Sequence, residues 1–218
     1  MHRIAVLVLG AILVGCGVVA VPTAESASPD IVVSQVYPGG GNAGATYTND
    51  FVELFNRGST AVDVSGWTIQ YASAAATTWQ ATALAGSIAP GRHFLVQLAS
   101  AGAVGSALPS PDATGTTNLA VSGGKVAVVR AASPLTCGAS PGSCSAVTSV
   151  ADLIGYGSAA DYEGSAAAPA LDSTTAAVRG NNGCDDTDAN ATHPRLPLVL
   201  TRTRSKPEEI RSVNSEVD

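Results

Sequence analysis

The sequence predicts an all-β sandwich, and three observations predict it. Short apolar runs separated by clusters of Gly, Pro, Asn and Ser recur from Ile31 to Gly157. Several of these runs alternate at the two-residue period of a strand with one buried face. Charged residues make up only 13 % of the chain, there are 23 glycines and a single Met, and Val, Thr and Ser outnumber the usual helix formers. At 45 % hydrophobic residues the chain is not disordered by composition. Its 218 residues suffice for one domain of ordinary size once a leader is set aside.

Taken in order, Ile31 to Tyr37 is the first strand, stopped by Pro38-Gly39-Gly40-Gly41-Asn42. Phe51 to Phe55 is the second. It is apolar on both faces except at Glu53, as a central strand would be, and Asn56-Arg57-Gly58 ends it. Val62 and Val64 flank Asp63 in a short third run. Gly66 then leads into Trp67-Thr68-Ile69-Gln70-Tyr71, which sets Trp67, Ile69 and Tyr71 on one face. This makes Trp67 the core tryptophan and Trp79, between Thr78 and Gln80, the exposed one. Ile88-Ala89-Pro90-Gly91 reads as a turn, Phe94, Val96 and Leu98 as a strand, and Ala99 to Asn118 as loop. Lys125 to Arg130 and Asp152 to Gly157 supply two further strands. No amphipathic helix and no internal repeat is visible.

The N-terminus, Met1-His2-Arg3 followed by an apolar stretch from Ile4, has the form of a secretory signal, assigned to residues 1–27. Its ending is open. Leu13-Val14-Gly15-Cys16 has the form of a bacterial lipobox, in which Cys16 is lipidated and becomes the new N-terminus. Cleavage near Val18-Val19-Ala20 or Ala24-Glu25-Ser26 is the alternative, and release is the favoured reading because the residues after Cys16 stay apolar. The expectation is a secreted protein, or one lipid-anchored at the cell envelope. In either place disulfides form, and any membrane contact runs through the anchor at Cys16. A domain over residues 30–200 follows, then residues 201–218, whose Arg, Lys, Glu and Ser content leads to the expectation of a flexible tail.

Several segments together resemble the bacterial lamin-tail domain. They are Val33-Ser34-Gln35-Val36-Tyr37, Asn49 to Asn56, Val64 to Tyr71, Ile88-Ala89-Pro90-Gly91, Gly124-Lys125-Val126-Ala127, Asp152 to Gly157, and Gly183-Cys184-Asp185-Asp186-Thr187-Asp188. The resemblance runs from about Asp30 to Asn190 and rests on the ordered set rather than on one piece. It implies an immunoglobulin-like β-sandwich and a non-catalytic interaction domain. Secreted bacterial members often stand beside a nuclease or phosphatase domain, or at the cell surface. The sequence departs from the family pattern after Ala191-Thr192-His193-Pro194, where an aromatic-containing strand is replaced by a basic, proline-containing segment. That departure leaves the closing strand in question.

Site candidates are few. Cys137 and Cys144 bracket Gly138-Ala139-Ser140-Pro141-Gly142-Ser143, a turn-forming segment, and a disulfide between them is expected. It should contribute roughly 2 kcal/mol or a little more, because so short a loop loses little entropy. Cys184 is left over, and a buried thiol is the simplest reading. Asp186, Asp188 and Asn190 space oxygen ligands as a calcium loop opens, but the expected Gly and closing Glu are absent, so an Asx-rich turn competes with calcium. No other cofactor is expected. His93 and His193 are the histidines of the mature chain, and neither sits near a nucleophile elbow. Asp50 and Glu53 are the conspicuous acids, and Glu53 reads as a structural acceptor for donors of a neighbouring loop.

No catalytic residue is therefore assigned, and the chain reads as an extracellular binding module for a protein or glycan ligand. The alternative is an accessory domain of a secreted nuclease or phosphatase system whose catalytic domain is absent from this chain. With 11 Lys and Arg against 17 Asp and Glu, an acidic body disfavours phosphate backbones and hence nucleic acid.

Overall fold

The computed structural model describes residues 30–180 and 185–197. The leader with Cys16, the leftover Cys184, and the segment from residue 198 onward lie outside the described residues. Among the described residues twelve strands form: β1 Ile31–Tyr37, β2 Phe51–Asn56, β3 Val62–Asp63, β4 Thr68–Ser73, β5 Gln80–Ala83, β6 Ser87–Ile88, β7 His93–Gln97, β8 Ala113–Thr114, β9 Gly123–Val129, β10 Val150–Gly157, β11 Thr175–Val178 and β12 Arg195–Pro197. A six-stranded sheet runs β12-β11-β1-β2-β7-β8, a four-stranded sheet runs β10-β9-β4-β5, and β3 pairs with β6 in a small ribbon. All pairings are antiparallel except β7 with β8. This is the all-β sandwich that the alternation predicts.

The two sheets enclose the main core. Ile31, Val33, Val36, Val52, Leu54, Phe94, Val96 and Ala177 come from one side, and Ile69, Tyr71, Val126, Val128, Ile154 and Tyr156 from the other. A β-bulge in β1 between Val33 and Gln35 keeps both Val33 and Val36 facing inward, and a second in β10 falls between Val150 and Asp152. Side chains serve the backbone at the first bulge: Val33 N–H donates to Asp152 Oδ2 at 2.6 Å, and Val33 C=O accepts from Arg179 Nε at 3.0 Å. The bulges thus tie β1 to β10 across the sandwich. The closing strand exists, but at Arg195–Pro197, where it pairs with β11.

An antiparallel sandwich ordinarily leaves its outer faces to water. Here the outer face of the four-stranded sheet is covered instead. Ala72, Ala127, Val129 and Leu153 pack against Trp79, Leu135, Cys144 and Val150. Polar side chains of the strands bind the covering segment: Thr68 Oγ1 donates to Ala131 C=O, Gln70 bonds Ser133 C=O and Leu135 N–H, and Lys125 Nζ donates to Ala76 and Gly138 C=O at 2.6 and 2.7 Å. The expected roles of the tryptophans are consequently reversed. Trp79 is only 4 % exposed, donates its Nε1–H to Cys137 C=O, and lies beneath Lys125. Trp67 precedes β4 at the rim of the core, half-buried, with the Arg130 guanidinium 5.5 Å from its ring centroid. The alternation placed Trp67 on the correct face, but it falls beyond the end of the strand. Trp79 is buried by a segment more than fifty residues away in sequence, which local pattern does not register.

Candidate functional site

Arg179, directly after β11, is the largest fully buried side chain among the described residues. Its Nη2 donates to both oxygens of Asp152, at 3.0 and 2.8 Å, and its Nη1 donates to Asp186 Oδ1. Asp152 also accepts from the backbone N–H of Val33 and Leu153. Asp186 Oδ2 faces Arg57 Nη1 at 3.4 Å. Glu163 completes the group, since one ligand oxygen from each of Asp152, Glu163 and Asp186 lies within 4.8 Å of the others. Beside this cluster opens a cleft of about 300 Å³, lined by Gly180, Asp185, Asp186, Thr187, Thr192 and His193.

Three converging carboxylates raise the question of a metal ion. The hydrogen bonds answer that the cation they surround is the Arg179 guanidinium. Both Asp152 oxygens are occupied by Arg179 and by backbone donors, and both Asp186 oxygens face guanidinium nitrogens. A metal would have to displace paired buried charges, whose separation is costly. Burial, followed by the charges of Asp152 and Asp186, pushes Glu163 up to about 9, so it stays protonated at neutral pH. Burial raises Asp152 to about 6, with Arg179 opposing, so Asp152 remains ionised at pH 7. Burial opposes the charge on Arg179, but Asp152 and Asp186 hold it.

The calcium set Asp186, Asp188 and Asn190 is divided by the fold. Asp186 belongs to the arginine cluster. Asp188 adopts a left-handed φ of 47° in the turn. Asn190 is fully buried in a one-turn 3-10 helix, Asn190–Thr192, where its amide oxygen accepts from Gly155 and Glu163 N–H and its amide nitrogen donates to Leu153 C=O. That carboxamide is a structural plug against β10 rather than a ligand oriented toward a shared ion.

The remaining candidates also hold the fold together. Asp50 Oδ1 and Oδ2 accept from Gly40 and Leu119 N–H, each at 2.8 Å, joining two loops, and burial raises its pKa to about 6. Asp50 thus acts as an acceptor for loop backbone. Glu53 accepts from Ser34 Oγ at 3.0 Å and lies 3.3 Å from His93 Nδ1, one on each flanking strand, and has further interactions besides these. In this trio the carboxylate stands between hydroxyl and imidazole, the wrong order for an imidazole to take the hydroxyl proton. His193 Nδ1 engages Asn190 C=O, and burial together with Arg179 lowers its pKa to about 4, leaving a neutral ring. Cys137 and Cys144 form the expected disulfide, with Cys144 N–H and Ser143 Oγ donating to Asp161. Sequence reasoning missed Arg179, Glu163, Lys125 and Asp161. The signal available for Lys125 and Asp152 was a lone charge inside an apolar run.

A comparison with curated proteins returns no match. The family model described as Lamin Tail Domain matches residues 24–135, from just before β1 into the segment that covers Trp79. The arginine cluster is built largely from residues beyond that span. The match takes in more than half of the 218 residues, and the chain belongs to the lamin tail domain family.

Proposed function

We propose that this domain is a non-catalytic extracellular binding module, presented by secretion or by a lipid anchor at Cys16, whose ligand is a protein or glycan of the cell exterior. One observation carries the reading: among the described residues, the buried acids Asp50, Glu53, Asp152 and Asp186 and the buried His193 already serve the fold. Asp50 bonds two loops, Glu53 joins three strands, Asp152 and Asp186 hold Arg179, and His193 caps the 3-10 turn. A general base needs an accessible lone pair beside a nucleophile. Electrostatics support a ligand other than nucleic acid, since two of the body's few cations, Lys125 and Arg179, are fully buried and cannot meet phosphate.

The purified protein should show no turnover with DNA, phosphomonoesters, phosphodiesters or glycans, and should bind one purified envelope component saturably. Turnover abolished by Glu53→Gln or Asp50→Asn, in variants that keep wild-type circular dichroism, would overturn the proposal.

A further inference from the structure

The cleft beside the arginine cluster has one chemical character. Among the described residues that line it, Gly180, Asp185, Asp186, Thr187, Thr192 and His193, none is cationic. Its hydroxyls are made acceptors by their own bonds. Thr192 Oγ1 donates to Ala189 C=O at 2.7 Å, which commits its single proton. Thr187 Oγ1 lies 3.1 Å from Thr192 Oγ1, so in that pair Thr187 is the donor and its proton is committed too. Lone pairs remain on both oxygens. The same reasoning fixes the imidazole. His193 Nδ1 stands 3.0 Å from Asn190 C=O, and a carbonyl only accepts, so Nδ1 carries the proton. Burial and the charge of Arg179 keep the ring neutral, so Nε2 holds a lone pair. His193 is 2 % exposed, and its Nε2 has no hydrogen-bond partner. A buried acceptor left unmet is costly, and a donor entering the cleft would relieve that cost.

We infer that this cleft binds the guanidinium of an arginine side chain presented by a partner protein. The inference rests on the reading of the domain as a binding module, and it names the site and the chemistry of the ligand. A guanidinium carries five N–H donors and no acceptor, the complement of a wall built from a carboxylate, two hydroxyl oxygens and Nε2. The charge agrees. Asp152, Asp185, Asp186 and Asp188 stand in and beside the cleft against Arg57 and Arg179, so the patch stays negative after its internal pairs have formed. Asp186 faces both of those arginines, whereas Asp185 is exposed at the cleft and is the carboxylate that meets an incoming cation. The volume of about 300 Å³ lies at the lower end of ligand pockets and admits a guanidinium with part of its stem. A metal ion fits less well. Among the described residues, the groups that converge closely enough for one are Asp152, Glu163 and Asp186, a set without His193 and Asp185 that already surrounds Arg179. A phosphate or carboxylate ligand would meet charge of its own sign.

The test is a nuclear magnetic resonance titration of the full isotope-labelled chain, near neutral pH, with the peptide acetyl-Gly-Arg-Gly-amide. The control is the same peptide with citrulline in place of arginine, which keeps the shape and loses the charge. Saturable shifts are expected at the backbone amides of Gly180, Thr187, Thr192 and His193, with an affinity about tenfold or more above that of the citrulline peptide. The Nε2 resonance of His193 should move as it accepts a hydrogen bond, while Nδ1 keeps its proton. Asp185→Asn and His193→Phe should each weaken binding about fivefold or more. If His193→Phe fails to fold, Asp185→Asn and the Nε2 resonance carry the test. Equal affinity for the two peptides, an unmoved Nε2, or shifts confined to other faces of the domain would each overturn the inference. Its failure is separable from that of the binding-module reading, which falls on turnover: a domain without turnover that binds an envelope component but neither peptide overturns the cleft assignment alone.

Discussion

Trp79→Ala should destabilise the domain far more than Trp67→Ala. Trp79 is 4 % exposed amid Ala72, Ala127, Val129, Leu135, Cys144 and Leu153, and its truncation leaves a cavity in a layer only one side chain deep. Removing a buried tryptophan costs about 3–5 kcal/mol. The change also takes the donor from Cys137 C=O and the ring from beneath Lys125, each worth about 1 kcal/mol. A loss of about 4–5 kcal/mol follows, since these contributions overlap. Trp67 is half-buried at the rim, so its truncation should cost about 1–2 kcal/mol. A domain has about 5–15 kcal/mol in total, so the first variant should lose from about a third to nearly all of its stability. Urea midpoints followed by far-ultraviolet circular dichroism decide the matter, with equal slopes required for the comparison. Equal shifts, or a larger shift for Trp67→Ala, would refute the claim that the segment after β9 forms a packed outer layer.

Three further outcomes follow from the buried charges and the disulfide. The pKa of Glu163 is raised from 4.5 to about 9, so the folded state keeps a proton that the unfolded chain releases; its stabilisation is complete below about 4.5 and is lost as pH rises through 9. Between pH 7 and 9 the wild-type stability should fall by up to about 1.4 kcal/mol per pH unit, and Glu163→Gln should flatten the profile, measured as urea midpoints against pH. Arg179→Leu strands Asp152 without its cation, leaves Asp186 facing Arg57 alone, and should cost about 3–5 kcal/mol; adding Asp152→Asn should restore part of it, and strict additivity in that cycle would contradict a coupled pair. Replacing Cys137 and Cys144 together by Ser should lower stability by about 2.5 kcal/mol, the entropy of the short loop, and an unchanged denaturation midpoint would show that Lys125 and Asp161 alone hold that segment.

What was legible in the sequence, and what was not, divides along the layers of the fold. Strands bordering the main core announced themselves, because Ile31 to Tyr37, Phe51 to Phe55 and Phe94 to Val96 carry large apolar residues on an inward face. The disulfide was legible because both cysteines lie in one turn. β11 was not, since Thr175-Ala176-Ala177-Val178 offers small side chains and no alternation. Nor was the arginine cluster, whose members at 152, 163, 179 and 186 are scattered through separate segments and meet only in the folded chain. The outer layers were the least visible, because Thr68, Gln70 and Lys125 look like residues facing water. Lys125 and Asp152, each a charge in an apolar strand, prove to be anchors for distant segments: Lys125 for the disulfide loop, Asp152 for β1 and Arg179. A charge in such a position costs too much to retain unpaired, so it marks where another part of the chain must arrive. Glu53 is the third such charge. Ser34 and His93 meet it within its own sheet, as the Gly138 carbonyl of the covering loop meets Lys125 on the other sheet.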